Sequence, residues 1–215
     1  MKEKDMRISK VKKIDYSLYL VADSSFITLE NAEKKITEAI KGGVTIIQLR
    51  AKDISGAEFY NMALKIKKIA AYYNVPLIIN DRVDIAIAAD ADGVHTGQED
   101  IPAKEVRKLI GTDKIMGISV SNTAEAEKAE ADSADYLGAG AVFPTDTKPD
   151  AKYVNIEEFT EIKKRVKIPV VAIGGINSEN AEKIFLSGAD GIAVVSAILG
   201  EKDVKEAAFR LKKLV

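Results

Sequence analysis

Short apolar runs alternate along this chain with longer stretches whose apolar residues recur every three or four positions. Runs over 17–23, 45–50, 76–80, 93–96, 114–119, 136–142, 169–173 and 191–195 are nearly all apolar. That pattern predicts strands covered on both faces. Between them, 30–41, 57–73, 83–89, 103–110, 123–130, 156–166, 178–187 and 204–214 predict helices. In 57–73, the residues Phe59, Met62, Ile66, Ile69 and Tyr73 form one buried stripe. Eight strand–helix units in succession predict an α/β fold whose parallel sheet closes on itself, a (β/α)8 TIM barrel. One domain over 1–215 accounts for the chain, with a short extension over 1–16 that makes an extra helix or an arm across the barrel floor.

Polar residues stand where the apolar runs end. Gln48, Arg50 and Lys52 follow the run 44–47, and Asn80 and Asp81 follow 76–79. Asp100 follows 93–97, Ser119 follows 115–118, and Thr145, Thr147 and Lys148 follow 136–143. Gly174 and Gly175 follow 170–173. A barrel of this class assembles its active site from the loops at the carboxyl ends of its strands. Asp92 and Asp190, in Ala91-Asp92-Gly93 and Ala189-Asp190-Gly191, fall on the opposite face. They read as tight turns in which glycine tolerates positive φ, and not as ligands.

Composition narrows the function classes. Apolar residues make up 47% and charged residues 30%, an ordinary soluble balance. A formal net charge of −1 argues against bulk binding to nucleic acid or an anionic membrane. The chain has no cysteine, which removes disulfides, thiolate nucleophiles and cysteine-held zinc. No apolar run reaches the length of a membrane span, and the charged start carries no signal-peptide core. The expected location is the cytoplasm.

The strand-end residues suggest anion chemistry. Gln48, Arg50 and Lys52 are spaced by two, so on a strand they share one side with Ile46 and face the barrel axis. An interior Arg and Lys are heavily penalised unless an anion meets them. The anion is either Asp53 or Asp81 in an internal salt bridge, or a phosphate or pyrophosphate. Asp81 and Asp100 suit a hard cation such as Mg²⁺, which takes one or two carboxylates and fills its remaining positions with water and phosphate. Asp81 equally suits a helix N-cap. Thr145, Thr147 and Lys148 make either a phosphate-binding loop or a plain surface loop. Gly174-Gly175 ahead of Asn177-Ser178, with Val195-Ser196 beside it, fits the phosphate position that barrels commonly use after strands seven and eight. His95, the single histidine, reads more readily as a hydrogen-bonded structural residue than as a catalyst.

Read in order, these segments resemble the thiamine-phosphate synthase (thiamine-phosphate pyrophosphorylase) family. The carrying residues are Gln48-Leu49-Arg50-Ala51-Lys52, Ile79-Asn80-Asp81-Arg82, His95-Thr96-Gly97-Gln98-Glu99-Asp100, Pro144-Thr145-Asp146-Thr147-Lys148 and Ala172-Ile173-Gly174-Gly175-Ile176. The resemblance implies two small-molecule substrates, hydroxymethylpyrimidine diphosphate and a thiazole phosphate, joined with release of pyrophosphate and with Mg²⁺ as cofactor. It implies that Gln48, Leu49, Arg50, Ala51, Lys52, Asn80, Ser119 and Lys148 bind the pyrimidine diphosphate. Among these, Arg50, Lys52, Ser119 and Lys148 would act in catalysis. Thr145, Asp146, Thr147, Gly175, Val195 and Ser196 would seat the thiazole phosphate, and Asp81 and Asp100 the metal.

Three departures from the family pattern stand out: Thr96 where an apolar residue is usual, Val120-Ser121-Asn122 after Ser119, and Ala141 in place of a common Pro. Ser119 has no base beside it in the sequence, so it is expected to donate a hydrogen bond and not to attack. A thiazole tautomerase and a non-enzymatic phosphate-ligand sensor are the competing readings. No nucleic-acid or membrane partner is implied, and a homo-oligomer is left open.

Overall fold

In the computed structural model, which describes residues 14–145 and 152–215, eight parallel strands close into a barrel in sequence order. They are β1 (Leu18–Asp23), β2 (Ile46–Arg50), β3 (Leu77–Asn80), β4 (Gly93–Thr96), β5 (Ile115–Val120), β6 (Tyr136–Gly140), β7 (Val170–Ile173) and β8 (Gly191–Val194). Pairing of Leu18 with Ile192 and of Leu20 with Val194 closes the ring and leaves no free edge. The surrounding helices are α1 (Ala32–Lys41), α2 (Gly56–Tyr72), α3 (Val83–Ala88), α4 (Ala103–Ile110), α5 (Thr123–Ala131), α6 (Ile156–Arg165), α7 (Ala181–Leu186), α8 (Ser196–Leu199) and α9 (Val204–Lys212). Among the described residues, no helix is long and apolar enough to cross a membrane.

Local chemistry sets where the helices start. Ser55 and Glu58 form a reciprocal capping box ahead of α2: Glu58 N donates to Ser55 Oγ at 3.2 Å, and Ser55 N donates to Glu58 Oε2 at 2.9 Å. Asn122, Asn155 and Asp203 cap α5, α6 and α9 in the simpler one-way manner. The short helix α8 was not visible in the apolar periodicity, because four residues hold barely one turn. Strand β6 ends earlier than its apolar run. Past Gly140 the chain turns to the loop, where Ala141 N donates to the Lys152 carbonyl and Val154 N to the Ala141 carbonyl.

The period-two alternation of the strands divides the apolar residues into two cores. Ile47, Leu49, Ile79, Val94 and Leu137 face the helices and belong to the large outer core. Tyr19, Val21, Ile46, Ile78, Ile115, Tyr136, Val171 and Ala193 fill the barrel. Tyr16, with Ile14 packed beside it, plugs the bottom of this inner core. The end of the N-terminal extension is therefore an arm across the barrel floor. Residues 1–13 lie outside the described residues.

The bottom face is held by a repeated device. Asp92, Asp135 and Asp190 precede β4, β6 and β8, and each carboxylate accepts from a backbone N–H of the preceding strand. The donors are Leu77 at 2.8 Å, Met116 at 2.8 Å and Val170 at 2.7 Å. Each Asp N–H donates back to the carbonyl of the same residue. Asp92 and Asp190 are thus structural, as expected, and Asp135 shares their role, but the glycines beside the first two work differently. Positive φ falls two residues before each Asp, at Asp90, Ser133 and Gly188. Gly93 and Gly191 instead permit close approach: a Cβ would lie 2.2 Å from the Ile115 carbonyl oxygen and 1.8 Å from that of Tyr16.

Thr96 faces away from the barrel axis, is 1% exposed, and its hydroxyl has no hydrogen-bond partner. An unmet buried hydroxyl carries a desolvation penalty that an isosteric methyl does not. Thr96→Val is expected to stabilise the fold by about 1 kcal/mol, raising Tm by roughly 2–4 °C. Thermal unfolding of the two proteins side by side checks this, and a lower Tm for the variant contradicts it.

Candidate active site

Along each inward-facing column, apolar residues near the floor give way to polar ones near the mouth. On β1, Tyr19 and Val21 lead to Asp23, and on β2, Ile46 leads to Gln48 and Arg50. On β3, Ile78 leads to Asn80; on β5, Ile115 and Gly117 lead to Ser119. Strands β6 to β8 contribute only small or apolar residues to the same level: Gly138 and Gly140, Ile173, and Val195 just past β8. The mouth is therefore polar along one half of its wall and small and apolar along the other.

Arg50 lies where the spacing predicted, but its partner is neither Asp53 nor Asp81. Its guanidinium pairs with Asp23, the residue that ends the neighbouring β1 and is 4% exposed. Burial opposes the charge on Asp23, but hydrogen bonds from Ser25 and the pairing with Arg50 outweigh it and hold the carboxyl below its usual range. Asp23 was missed because it was read only as the end of a strand. The two-residue step from Tyr19 through Val21 was the signal that it faces inward. A guanidinium has five donors, so Arg50 keeps N–H groups for a ligand while Asp23 fixes its direction.

Lys52, at the exposed rim, donates to Asp81 Oδ2 at 2.6 Å, as the internal salt-bridge reading expected. The competing N-cap reading of Asp81 is not realised: the cap position of α3 is Arg82, which pairs with Asp84, and Asp81 sits before it at φ 59°. Asp100, from the loop after β4, accepts from Gly97 N at 2.7 Å. Its carboxyl is raised above the ordinary value. Burial is the main cause, opposed by the Gly97 bond and reinforced by the adjacent Asp81 carboxylate. Two adjoining carboxylates that repel one another are a fit arrangement for a divalent cation. Among the described residues no group of three or more acidic, His or Cys side chains gathers. The Asp81–Asp100 pair on its own would fit a hard cation such as Mg²⁺, which takes one or two carboxylates and fills its other positions with water and phosphate.

His95 is hydrogen-bonded within the barrel, in keeping with the structural reading of the single histidine. The imidazole faces inward and does reach Ser119: Nε2 lies 2.9 Å from Ser119 Oγ, and Nδ1 lies 2.9 Å from the Tyr136 hydroxyl. Adjacent register positions on β4 and β5 bring them together, since His95 pairs with Gly117 and Ser119 is one inward step further. Gln48 is drawn into the same interior, donating to the Tyr19 hydroxyl at 2.8 Å.

Asn80 and Ser119 are half-buried at the mouth beside Arg50. Leu49 is fully buried in the outer core, so only its backbone is available to a ligand, and Ala51 is packed against the same core. On the far side of the mouth, Phe143 N donates to the Gly174 carbonyl at 3.1 Å and ties the loops after β6 and β7 together. Gly174 and Gly175 have φ of 100° and 64°, and a Cβ on Gly175 would lie 2.4 Å from the Pro144 carbonyl oxygen. Glycine is required there for backbone conformation and loop packing. Thr145 is half-buried on this loop, Val195 is half-buried, and Ser196 is exposed at the start of α8. Asp146, Thr147 and Lys148 lie outside the described residues.

The fold and this mouth are those of a (β/α)8 barrel enzyme, with its polar groups gathered at the carboxyl ends of the strands. A thiamine monophosphate synthase family model matches residues 18–198. The chain is 55% identical over 203 residues to the thiamine-phosphate synthase of Methanobrevibacter smithii, spanning 93% of this chain and 95% of that one. It is 53% identical over 200 residues to that of Clostridium tetani, spanning 93% and 96%. The solved thiamine phosphate pyrophosphorylase of Pyrococcus furiosus superposes with a TM-score of 0.86 at 41% identity, covering 94% of this chain and 96% of its own. The chain belongs to the thiamine monophosphate synthase family.

The raised carboxyl of Asp100 gives a signed prediction. A carboxyl whose folded pKa exceeds its unfolded value destabilises the fold while ionised, and the penalty is relieved as pH falls through the folded value. At pH 7, Asp100→Asn is therefore expected to raise the Tm of the metal-free protein by about 1–3 °C, discounted for solvent screening. The gain should shrink to nothing by about pH 3, where both side chains are neutral. Added Mg²⁺ should raise the Tm of the parent protein and leave that of the variant unchanged. A variant that is less stable at pH 7, or that responds equally to Mg²⁺, contradicts the repulsion.

Proposed function

We propose that this enzyme joins hydroxymethylpyrimidine diphosphate to a thiazole phosphate, forming thiamine phosphate and releasing diphosphate, a reading supported by its similarity to proteins named thiamine-phosphate synthase and thiamine phosphate pyrophosphorylase. The observation that carries the reading is the division of the mouth. Arg50 with unused donors, Lys52, Asn80 and Ser119 gather on one half, next to the Asp81–Asp100 pair. The other half offers the glycine-lined loops after β6 and β7.

The polar half seats the pyrimidine diphosphate. Arg50, held by Asp23, supplies a directed guanidinium and Lys52 a point charge, to which Lys148 from the loop after β6 would add a second. Asp81 and Asp100 would hold Mg²⁺, which when bound would neutralise charge on the diphosphate oxygens. The loops that carry Thr145, Asp146, Thr147, Gly175, Val195 and Ser196 seat the thiazole phosphate.

The chemistry needs no protein nucleophile. The carbon–oxygen bond between the pyrimidine methylene and the diphosphate breaks, and its electron pair leaves with the diphosphate. The aminopyrimidine ring delocalises the positive charge left on the methylene. The thiazole nitrogen then shares its lone pair with that carbon, giving a thiazolium without net proton transfer. Arg50, Lys52, Lys148 and Ser119 stabilise the negative charge as it grows on the departing group. Anchoring both substrates by their phosphates supplies roughly 7–11 kcal/mol of barrier lowering in favourable cases. The expected setting is the cytoplasm, where phosphorylated intermediates are made and consumed.

Formation of thiamine phosphate from the two purified substrates tests the reading directly. Activity should require Mg²⁺, disappear in excess chelator, and fall at least a hundredfold in Asp81→Ala with the fold intact by circular dichroism, on the order of other lost charge-stabilising groups. Lys148→Ala should raise KM for the pyrimidine diphosphate and leave KM for the thiazole phosphate nearly unchanged. Full turnover in chelator, or the opposite KM split, contradicts the assignment of the two subsites.

A further inference from the structure

Five side chains form one hydrogen-bonded chain through the barrel interior. Gln48 Nε2 donates to Tyr19 Oη at 2.8 Å, Tyr19 Oη meets Tyr136 Oη at 2.7 Å, Tyr136 Oη meets His95 Nδ1 at 2.9 Å, and His95 Nε2 meets Ser119 Oγ at 2.9 Å. Gln48, Tyr19, Tyr136 and His95 are between 1% and 7% exposed, whereas Ser119 is half-buried at the mouth. The chain thus runs from the sealed interior to the place where the diphosphate is expected.

The fold makes room for it. A Cβ on Gly117 would lie 2.2 Å from Tyr136 Cζ and 2.4 Å from His95 Nδ1, and one on Gly138 would lie 3.0 Å from His95 Cε1. Two glycines on adjoining strands therefore leave the space in which phenol and imidazole meet. Tyr16 packs on the other side of the Tyr136 ring, with centroids 4.8 Å apart.

With the Gln48 amide donating through Nε2, counting protons gives the chain one direction. Each phenol has one proton to donate, and burial holds both Tyr19 and Tyr136 well above the ordinary phenol value, so both are neutral. Tyr19 receives from Gln48 and therefore gives its proton to Tyr136. Tyr136, having received from Tyr19, gives its own to His95 Nδ1. The imidazole must then carry its proton on Nε2 and donate it to Ser119 Oγ. An imidazolium would donate from both nitrogens, turn Tyr136 back toward Tyr19, and leave the Tyr19 proton without an acceptor in the chain. The two ends agree on this direction: an amide donor begins the chain, and Ser119 ends it at the mouth, where the diphosphate is expected.

We infer that Gln48, Tyr19 and Tyr136 are positioning residues that hold His95 as its Nε2–H tautomer, so that Ser119 accepts from the imidazole and turns its own O–H toward the departing diphosphate. The consequence for Ser119 is definite. A nitrogen that donates to a hydroxyl cannot remove that hydroxyl's proton, so His95 is not the base of a serine nucleophile despite lying within reach. Bonds aligned in one sense polarise one another. The Ser119 donor therefore strengthens as charge accumulates on the leaving group. The identity of that leaving group rests on the synthase reading; the state of the chain in the free enzyme does not.

His95 is the single histidine of the sequence, so ¹⁵N-histidine labelling gives one imidazole whose tautomer NMR reads directly. In the free wild-type enzyme at neutral pH, the proton is expected on Nε2. Gln48→Glu replaces the amide donor by an acceptor of the same shape and should reverse the chain, moving the proton to Nδ1. Tyr136→Phe removes the donor to Nδ1 and should leave a mixture of tautomers. Its kcat should fall about tenfold, less than the 10²–10³ that loss of a transition-state donor itself costs, with KM for the thiazole phosphate within about twofold of wild type. An Nδ1–H or doubly protonated His95 in the wild type overturns the proposal. So does a tautomer that Gln48→Glu and Tyr136→Phe leave unmoved. Wild-type protein with the expected tautomer but no thiamine phosphate synthesis would refute the synthase reading and leave the chain standing.

Discussion

A side chain that points into a closed barrel can be satisfied only inside the barrel or at its mouth. Closure removes every sheet edge, the period-two alternation assigns every second strand residue to the interior, and the Tyr16 arm seals the floor. Each inward polar group must therefore find a partner within reach or stand high enough to meet a ligand, because an unmet one is heavily penalised. The arrangement follows from this. Near the floor the columns are apolar. At mid-height, Gln48, Tyr19, Tyr136 and His95 satisfy one another. At the top, Arg50 has Asp23, and Lys52 has Asp81.

The same constraint explains why the mouth is effective without a nucleophile or a cysteine. Its charged groups are held in advance by groups that are themselves held. Asp23 is bonded by Ser25 before it orients Arg50, and Gly97 orients Asp100 before any cation arrives. A preorganised field of this kind does not have to reorganise when the leaving group develops its charge. The unfavourable feature, two carboxylates side by side at Asp81 and Asp100, would be relieved by a bound divalent cation. The bottom face carries a stabilising device instead, the three Asp-to-backbone bonds before β4, β6 and β8.

Much of this was legible in the sequence, because both the fold and the mouth depend on period and position. Every expected strand formed, within one or two residues at its ends, because buried parallel strands are continuous apolar runs. Gln48, Arg50, Asn80, Asp81, Asp100 and Ser119 were identifiable from their place after those runs. What sequence could not give was pairing across strands. Register decides that Asp23 stands opposite Arg50 and that His95 lies one step below Ser119. Gly117 and Gly138 carry no signal in the sequence, yet they leave the space that Tyr136 and His95 occupy. Leu49 was grouped with its neighbours although alternation turns its side chain to the helices. The helix α8 fell below the length at which periodicity is detectable.

The most direct measurement is a crystal structure of the enzyme with pyrimidine diphosphate and Mg²⁺, the thiazole phosphate being withheld. Density for the diphosphate is expected against Arg50 and within hydrogen-bonding distance of Ser119, with the ion between it and the Asp81 and Asp100 carboxylates. The loops after β6 and β7 should remain open for the second substrate. A diphosphate seated instead on Gly174-Gly175 and Ser196, with the ion away from Asp81 and Asp100, would contradict it.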